Sequence, residues 1–160
     1  MLVTLAAVGK LKAGPDQELF QRYWDRLKAA GKSSGITSLR VVELPESRAQ
    51  TIDERKADEA ARLLKSVTAE AFIVALDERG AAFTSPQFAA SLGKWCGSGR
   101  KELALMIGGP DGHASSLIKR ADVSVALGTM TLPHGLARVV LAEQIYRAVT
   151  ILSGHPYHRS

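Results

Sequence analysis

The chain has 160 residues, a length that suits one domain with a single core and argues against two full domains. Its apolar fraction of 46% and charged fraction of 23% are those of a folded globular protein and exclude an intrinsically disordered one. The formal charge of +5 is compatible with a nucleic-acid partner, but many soluble enzymes without such a partner are also basic. We therefore expect one folded domain over residues 1–160, and its partner has to be inferred from motifs.

The start of the chain and its cysteine content indicate where the protein works. The uncharged stretch Leu2–Val8 is far shorter than the ~20 residues of a membrane span, and no basic segment precedes it as in a secretory signal. Cys96 is the only cysteine and cannot form an internal disulfide, so we expect a small buried apolar residue rather than a nucleophile. These features predict a cytoplasmic protein that does not bind a membrane.

Apolar runs alternate with amphipathic segments along the first half of the chain. A strand is predicted over Leu2–Val8 and a helix over Pro15–Ala30, because proline is favoured in a first helical turn and Gly31 follows the last one. β-Branched and apolar residues predict a second strand over residues 36–44. A helix with a wide polar face is expected next, over residues 51–66.

The second half of the chain continues the same alternation. The third strand is entirely apolar and ends at Asp77, and a helix capped by Ser85 follows it. The predicted elements of this half are strand 71–76, helix 85–95, strand 103–107, helix 115–121, strand 123–127 and helix 133–152. Strands that alternate with helices and are apolar on both faces predict an α/β fold with a parallel sheet covered on both sides. Ligands of such sheets bind beyond the carboxyl ends of the strands, which points to the loops after Leu76, Ile107 and Leu127.

Two of these loops have compositions that suit a bound ligand. Residues 108–112 read Gly-Gly-Pro-Asp-Gly, so the backbone can pass close to a flat ligand, although the same residues also suit a plain tight turn. The loop after the fifth strand is uncharged and suits the adenine ring and sulfonium of a methyl donor. Thr131 is also a candidate cap for the next helix, and the two interpretations are compatible. The members of this loop are Gly128, Thr129, Met130, Thr131, Leu132 and Pro133.

The last predicted helix is apolar on almost every side, which is typical of a helix that is buried on more than one side. The sheet can cover one side, and we expect a second copy of the chain to cover another, in a homodimer. Charged side chains interrupt this helix as two i,i+4 pairs, His134 with Arg138 and Glu143 with Arg147. They are either local stabilising pairs or parts of a site, and the cost of burying charge favours a site or a subunit contact.

Other catalytic patterns are absent or weak. No Gly-Lys-Ser/Thr loop follows the first strand, and residues 97–99 follow a helix, so neither a P-loop nor a dinucleotide fingerprint is present. His155 and His158 could bind zinc with His134 or Asp122, but zinc ligands are usually more tightly clustered in sequence. We therefore expect no metal site.

The chain ends in aromatic and cationic groups that suit phosphates and bases, namely His155, Pro156, Tyr157, His158 and Arg159. A short tail is usually frayed and solvated. This one directly follows the buried helix, so we expect it near the site that the helix serves.

Five blocks of sequence carry a resemblance that spans the chain. They are residues 76–77, 107–112, 130–134, 138–148 and 155–159, and the opening residues 6–10 and the chain length also match. In this order the blocks resemble the ribosomal RNA large-subunit methyltransferase H family of the SPOUT methyltransferases. The resemblance implies a single-domain parallel-sheet SPOUT fold with a C-terminal trefoil knot, which general rules of chain connection would not favour. It also implies a homodimer.

The activity implied by the resemblance is methylation of N3 of a pseudouridine in 23S ribosomal RNA. S-adenosyl-L-methionine is the implied methyl donor, without a metal, and S-adenosylhomocysteine is the other product. The matched donor-binding positions are Leu76, Gly108, Gly109, Gly128, Thr129, Met130, Thr131, Leu132 and Pro133. The positions matched to activity or RNA engagement, shared between subunits, are His134, Arg138, Glu143, Arg147, Tyr157, His158 and Arg159.

Chemistry suggests roles for three of these residues. N3 of the base is an imide nitrogen that must lose its proton, so His134 is a candidate base and Arg138 or Arg147 a candidate stabiliser of the developing anion. Without a separate RNA-binding domain, the chain is expected to act on structured RNA, such as the ribosome. Two alternatives stay open: a SPOUT-like enzyme for another RNA such as transfer RNA, and a non-enzymatic ribosome-binding module, against which the intact glycine and Pro-His loops argue.

Overall fold

The computed structural model describes residues 1–159, which form one sheet of five parallel strands with helices on both faces. The strands are β1 (Leu2–Val8), β2 (Ser38–Leu44), β3 (Phe72–Ala82), β4 (Glu102–Ile107) and β5 (Val123–Ala126). The helices are α1 (Pro15–Ala30), α2 (Ile52–Lys65), α3 (Ser85–Cys96), α4 (Ser115–Arg120) and α5 (His134–Leu152). The predicted α/β fold with a parallel sheet is confirmed, and the trefoil knot stays a prediction.

The strand order is β2-β1-β4-β3-β5, which places β1 and β4 in the middle of the sheet. Successive side chains of a strand point to opposite faces. Because β1 and β4 consist almost entirely of apolar residues, both strands are apolar on both faces. Leu5 of β1 belongs to a core that includes Trp24 of α1, Phe88 of α3 and Ile145 of α5. Ala6, the next residue, belongs to a smaller core on the other face, formed with α2 and α4.

Strand β3 is longer than predicted, because Asp77 does not end it. The strand continues to Ala82, and its pairing with β5 shifts register between Leu76 and Ala81. Gly80 allows this irregular passage: a Cβ atom there would lie 2.6 Å from the backbone nitrogen of Val125. The sequence correctly predicted a polar interruption at Asp77 but wrongly predicted that the strand ends there.

Two helix starts differ by one residue from the prediction. The N-cap of α3 is Thr84 rather than Ser85, because Thr84 and Gln87 form a reciprocal capping box. Helix α5 begins at His134, with Pro133 in the N-cap position and no capping side chain, so Thr131 does not cap it. The hydroxyl of Thr131 is left without that structural role.

Helix α5 has apolar neighbours within its own chain. It packs between α1 and α3, and its buried residues join the larger core. The sheet covers one side of α5, as expected, and α1 and α3 also flank the helix within the same chain. The homodimer stays a prediction. None of the helices within residues 1–159 is both long and apolar enough to span a membrane.

A buried carboxylate ties together the amino ends of the central strands. Glu102, the first residue of β4, is 1% exposed. It accepts hydrogen bonds from the Thr4 hydroxyl at 2.6 Å, the Arg40 guanidinium at 2.8 Å and the Thr68 N–H at 2.9 Å. Burial raises the pKa of Glu102, but these hydrogen bonds outweigh burial, and the pKa is lowered overall.

Replacement of this carboxylate should give a pH-dependent loss of stability. We expect Glu102→Gln to lower the free energy of unfolding by about 1–3 kcal/mol at neutral pH, because charge-assisted hydrogen bonds are lost. The pKa is lower in the folded than in the unfolded chain, so ionised Glu102 stabilises the fold above its ordinary pKa of 4.5. That contribution disappears as the pH falls through the lowered pKa, and urea unfolding at several pH values should show the two proteins converging in acid.

The matched control is Asp25→Asn, since Asp25 is an exposed carboxylate that accepts a hydrogen bond from Gln21. This variant should change stability by less than about 0.5 kcal/mol. A Glu102→Gln effect that is independent of pH would contradict the assigned role of the ionised carboxylate.

Candidate functional site

The carboxyl ends of the strands surround one large cleft of about 1130 Å³, which we call the strand-end cleft. It is built from the loops after β1, β2, β4 and β5 and from the irregular middle of β3. The predicted donor residues that line it are Leu76, Gly108, Gly109, Gly128, Met130, Thr131 and Leu132, while Thr129 and Pro133 lie in the same loop without lining it. Three loops that the sequence marked separately therefore meet at one place. Binding of a donor there stays a prediction.

The glycine turn after β4 forms one wall of the cleft. A Cβ atom on Gly109 would lie 2.8 Å from Oε2 of Glu59 and 3.1 Å from Cγ1 of Val8, so a side chain has no room there. Gly112 has a φ of 79°, in the left-handed region that favours glycine. The Gly112 N–H donates to the Gly109 carbonyl at 2.9 Å and closes the turn. The residues form a tight turn that also brings bare backbone to the cleft.

The same wall is fixed from beneath by a histidine that the sequence analysis missed. His113 is 5% exposed, and its Nε2 lies 3.2 Å from the carbonyl oxygen of Met106 in β4. Burial lowers the pKa of His113, which favours the neutral ring. A carbonyl oxygen can only accept, so Nε2 carries the proton. No local sequence signal distinguishes this histidine from an ordinary loop residue.

At the first turn of α5, His134 lines the cleft and is held by a buried guanidinium. Arg138 is 1% exposed, and its Nε donates to Nε2 of His134 at 3.0 Å. Its two terminal nitrogens donate to the Glu43 carboxylate and to the Gly9 carbonyl. The i,i+4 pair seen in the sequence is therefore part of a network that joins α5 to the ends of β1 and β2.

The charge states in this network follow from its geometry. Burial, and then the Arg138 guanidinium, lowers the pKa of His134, so the ring is neutral at physiological pH. Burial raises the pKa of Glu43, but hydrogen bonds from the Leu11 N–H and from Arg138 outweigh it, and the carboxyl is ionised. Glu43 was missed by sequence reasoning; its one signal was an acid near the end of a predicted strand.

A second group of predicted residues lies further along α5. The Glu143 carboxylate accepts hydrogen bonds from Arg147 at 2.6 Å and from the Tyr157 hydroxyl at 3.0 Å. His158 Nδ1 lies 3.3 Å from Arg147, whose guanidinium stacks 4.9 Å from the centre of the Tyr157 ring. Burial and hydrogen bonds with Tyr23 and Glu143 raise the pKa of Tyr157, so its phenol stays protonated. We call Glu143, Arg147, Tyr157 and His158 the tail cluster.

Six of the seven predicted catalytic residues thus form two groups within one chain. A helix rises 1.5 Å per residue, so Arg147 lies about 20 Å along α5 from His134. His134 and Arg138 belong to the strand-end cleft, the tail cluster lies well away from it, and Arg159 is exposed beyond both. The tail does fold back on α5 as expected, but onto its second half.

No three His, Cys, Asp or Glu side chains in residues 1–159 come close enough together to hold a metal ion. His155 and His158 are therefore not gathered with His134 or Asp122 into a zinc site. Cys96 is the last residue of α3 and is half-buried against the core. Burial raises the pKa of its thiol, which opposes a role as a nucleophile.

Comparison with known proteins places this geometry in a family. Residues 1–158 match the family described as "Predicted SPOUT methyltransferase". A protein of Brucella anthropi named "Ribosomal RNA large subunit methyltransferase H" is 50% identical over 160 residues, which is the full length of both chains. Proteins of the same name from Rhizobium leguminosarum bv. trifolii and Rhizobium johnstonii are 51% and 52% identical, each over 99% of both chains.

The chain belongs to the ribosomal RNA large subunit methyltransferase H family of SPOUT methyltransferases. The family resemblance seen in the five sequence blocks is thereby confirmed. Membership makes the chain a methyltransferase and implies S-adenosylmethionine as its methyl donor. We expect the donor to bind in the strand-end cleft, because ligands of parallel sheets bind beyond the carboxyl ends of the strands.

Substitution of Gly109 tests whether the cleft is that site. A valine side chain at Gly109 would collide with Glu59 and Val8, and overpacking of this kind costs about 1–3 kcal/mol. We expect Gly109→Val to weaken binding of S-adenosylmethionine at least about tenfold in calorimetric titration.

The control is Gly97→Ala, at the end of α3 and outside the cleft, where a Cβ atom would meet its nearest neighbour at an ordinary 3.4 Å. This variant should bind like the unaltered protein. Equal affinities in all three proteins would mean that the donor binds elsewhere.

Proposed function

We propose that this protein methylates N3 of a pseudouridine in 23S ribosomal RNA, with S-adenosylmethionine as methyl donor and as a cytoplasmic homodimer. The observation that carries the proposal is the strand-end cleft. Bare glycine backbone forms one wall, an uncharged loop forms another, and His134 stands between that loop and the ends of β1 and β2. The names of the relatives, which specify ribosomal RNA of the large subunit, support the choice of substrate over transfer RNA.

The residues of the cleft fit the methyl donor. The Cβ position of Gly109 is occupied by Glu59 and Val8, so only bare backbone faces the cleft there, and an extended ligand can lie against it. The loop of residues 128–133 carries no charge to repel a sulfonium. When bound, the donor supplies an electrophilic methyl group, and the residues that would hold it are Leu76, Gly108, Gly109 and the lining members of this loop.

The charges around the cleft suit an RNA substrate. Lys10, Lys12 and Arg48 are exposed on the side formed by the ends of β1 and β2. Two of the carboxylates that line the cleft have cationic partners of their own, since Asp77 pairs with Arg79 and Asp111 pairs with Arg55. The exposed cations are therefore available to phosphate groups.

The two groups of polar residues on α5 support a site shared between subunits. In one chain, the tail cluster is too far from His134 to act on the same atom, because about 14 Å of helix separates His134 from Glu143 and about 20 Å separates it from Arg147. A two-fold axis that crosses α5 would bring the tail cluster of one subunit towards the strand-end cleft of its partner. Near the mouth of the cleft, Met130 is 82% and Leu136 is 42% exposed, and such apolar side chains suit a subunit contact.

Methyl transfer to ribosomes tests the substrate. Purified protein, S-adenosylmethionine with a labelled methyl group and unmodified ribosomes should give labelled 23S RNA, with methylpseudouridine found by mass spectrometry of the digested RNA. Free large subunits and assembled ribosomes are assayed side by side, with transfer RNA as a third substrate. Label in transfer RNA alone would favour the other-RNA alternative, and binding to ribosomes without transfer would favour the non-enzymatic module.

Complementation tests the shared site. Gly109→Val damages the cleft and Arg147→Met damages the tail cluster, so each homodimer should be inactive. When the two variants are co-expressed, about half of the dimers are mixed and each mixed dimer keeps one intact site, which restores about one quarter of full activity.

The matched control combines Gly109→Val with His134→Ala, two changes to the same cleft, and should restore nothing. If the purified mixed dimer of Gly109→Val and Arg147→Met is inactive, cleft and tail cluster do not act across the subunit boundary.

A further inference from the structure

We propose that Glu43 and Arg138 are positioning residues that orient His134 as a hydrogen-bond donor, rather than a general base, towards a carbonyl oxygen of the target base. The inference rests on the proposed function for the identity of the base. The state of the His134 ring itself follows from contacts within this chain. It revises the role of base that chemistry alone suggested for His134.

The tautomer of His134 is set by its contact with Arg138. An arginine guanidinium has donors and no acceptor, so the Nε–H of Arg138 requires a lone pair on Nε2 of His134, 3.0 Å away. In the neutral ring the proton then resides on Nδ1. No group within residues 1–159 hydrogen-bonds this Nδ1. The Nε2 end points towards Gly9, where a Cβ atom would lie 3.3 Å from it.

Arg138 cannot easily turn away from the ring. It is 1% exposed, and its terminal nitrogens are engaged by the Glu43 carboxylate and the Gly9 carbonyl. Glu43 is fixed in turn, because it accepts the Leu11 N–H at 2.8 Å and lies on β2 opposite Ala7 of β1. The guanidinium therefore donates to the carboxylate and to the ring at the same time, and Glu43 holds Arg138 in the position from which it donates to His134.

A hydrogen-bond donor beside a carbonyl oxygen of the target base suits the chemistry of N3, which is an imide nitrogen. When the N3–H bond of the base breaks, the proton passes to water, and both electrons stay on N3 and are shared with the two adjacent carbonyl oxygens. A preorganised N–H donor at one of those oxygens stabilises this anion, an effect worth about 10²–10³ in rate at comparable sites. For His134 to act as a base at Nε2, it would have to break its contact with Arg138 and place a second proton opposite a guanidinium.

Two substitutions of His134 separate the roles. The side-chain amide of asparagine places an N–H near the position of Nδ1, but it cannot accept a proton as a base. We expect His134→Asn to keep methyl transfer within about tenfold of the unaltered protein, and His134→Ala to lose about 10²–10³. Equal losses in both variants would overturn the role of His134 as a hydrogen-bond donor. Binding of S-adenosylmethionine, measured by calorimetry, shows that each variant is folded and retains its cleft.

The tautomer is measured directly, without RNA or methyl donor. In ¹⁵N-labelled protein, the Nε2 resonance of His134 should be that of an unprotonated nitrogen and the Nδ1 resonance that of a protonated one. In Glu43→Gln the hold on Arg138 weakens, and we expect a shift towards the opposite tautomer. Glu46→Gln is the matched control, since Glu46 also lines the cleft beside His134 but does not hydrogen-bond Arg138, and it should leave the tautomer unchanged.

The outcomes distinguish this inference from the proposed function. A protonated Nε2 in the unaltered protein overturns the inference, and an unchanged tautomer in Glu43→Gln overturns the part assigned to Glu43. Failure of the unaltered protein to methylate ribosomes would instead overturn the proposed function, and the resonances of His134 would still report the orientation of its ring.

Discussion

The buried guanidinium of Arg138 is the interaction on which the geometry of the site depends. It connects three parts of the chain, since its partners are Glu43 near the end of β2, the Gly9 carbonyl after β1 and His134 at the start of α5. Loss of one partner from a buried charged pair typically costs about 3–5 kcal/mol, because the other partner stays buried without compensation. The same contact therefore fixes the direction in which α5 leaves the sheet and the shape of one side of the cleft.

Much of the fold could be predicted because its signals are local. Strand β1 and helix α1 were predicted with their observed bounds, since an uninterrupted apolar run and a Pro–Gly bracket leave few alternatives. The end of β3 was predicted wrongly at Asp77, because a strand can continue past a polar bend when a neighbouring strand pairs with both of its halves. The packing of α1 and α3 beside α5 was not predicted, since periodicity shows that a helix is buried but not which elements cover it.

The candidate site likewise contains parts that could be predicted from the sequence and parts that could not. The loops at three strand ends could be predicted because parallel strands bring their carboxyl ends to one edge of the sheet. Glu43 could not, because its partner is a guanidinium 95 residues later in the chain. His113 could not, because a loop histidine gives no sign that its ring turns back onto the Met106 carbonyl of the preceding strand. Sequence also grouped seven residues into one catalytic set, and only the length of α5 shows that a single chain keeps them apart.

The unequal faces of the sheet have a consequence for biosynthesis. The aromatic side chains of α1 and α3 form a large apolar face, and α5, which completes its cover, follows every strand in the chain. A nascent chain that has made all five strands would still expose this face, and exposed apolar surface of that kind promotes aggregation. Early folding would therefore favour the opposite face, where α2 and α4 cover a small core rich in alanine before α5 is synthesised. The helix that borders the strand-end cleft is thus also the element that covers the last large apolar face of the newly made protein.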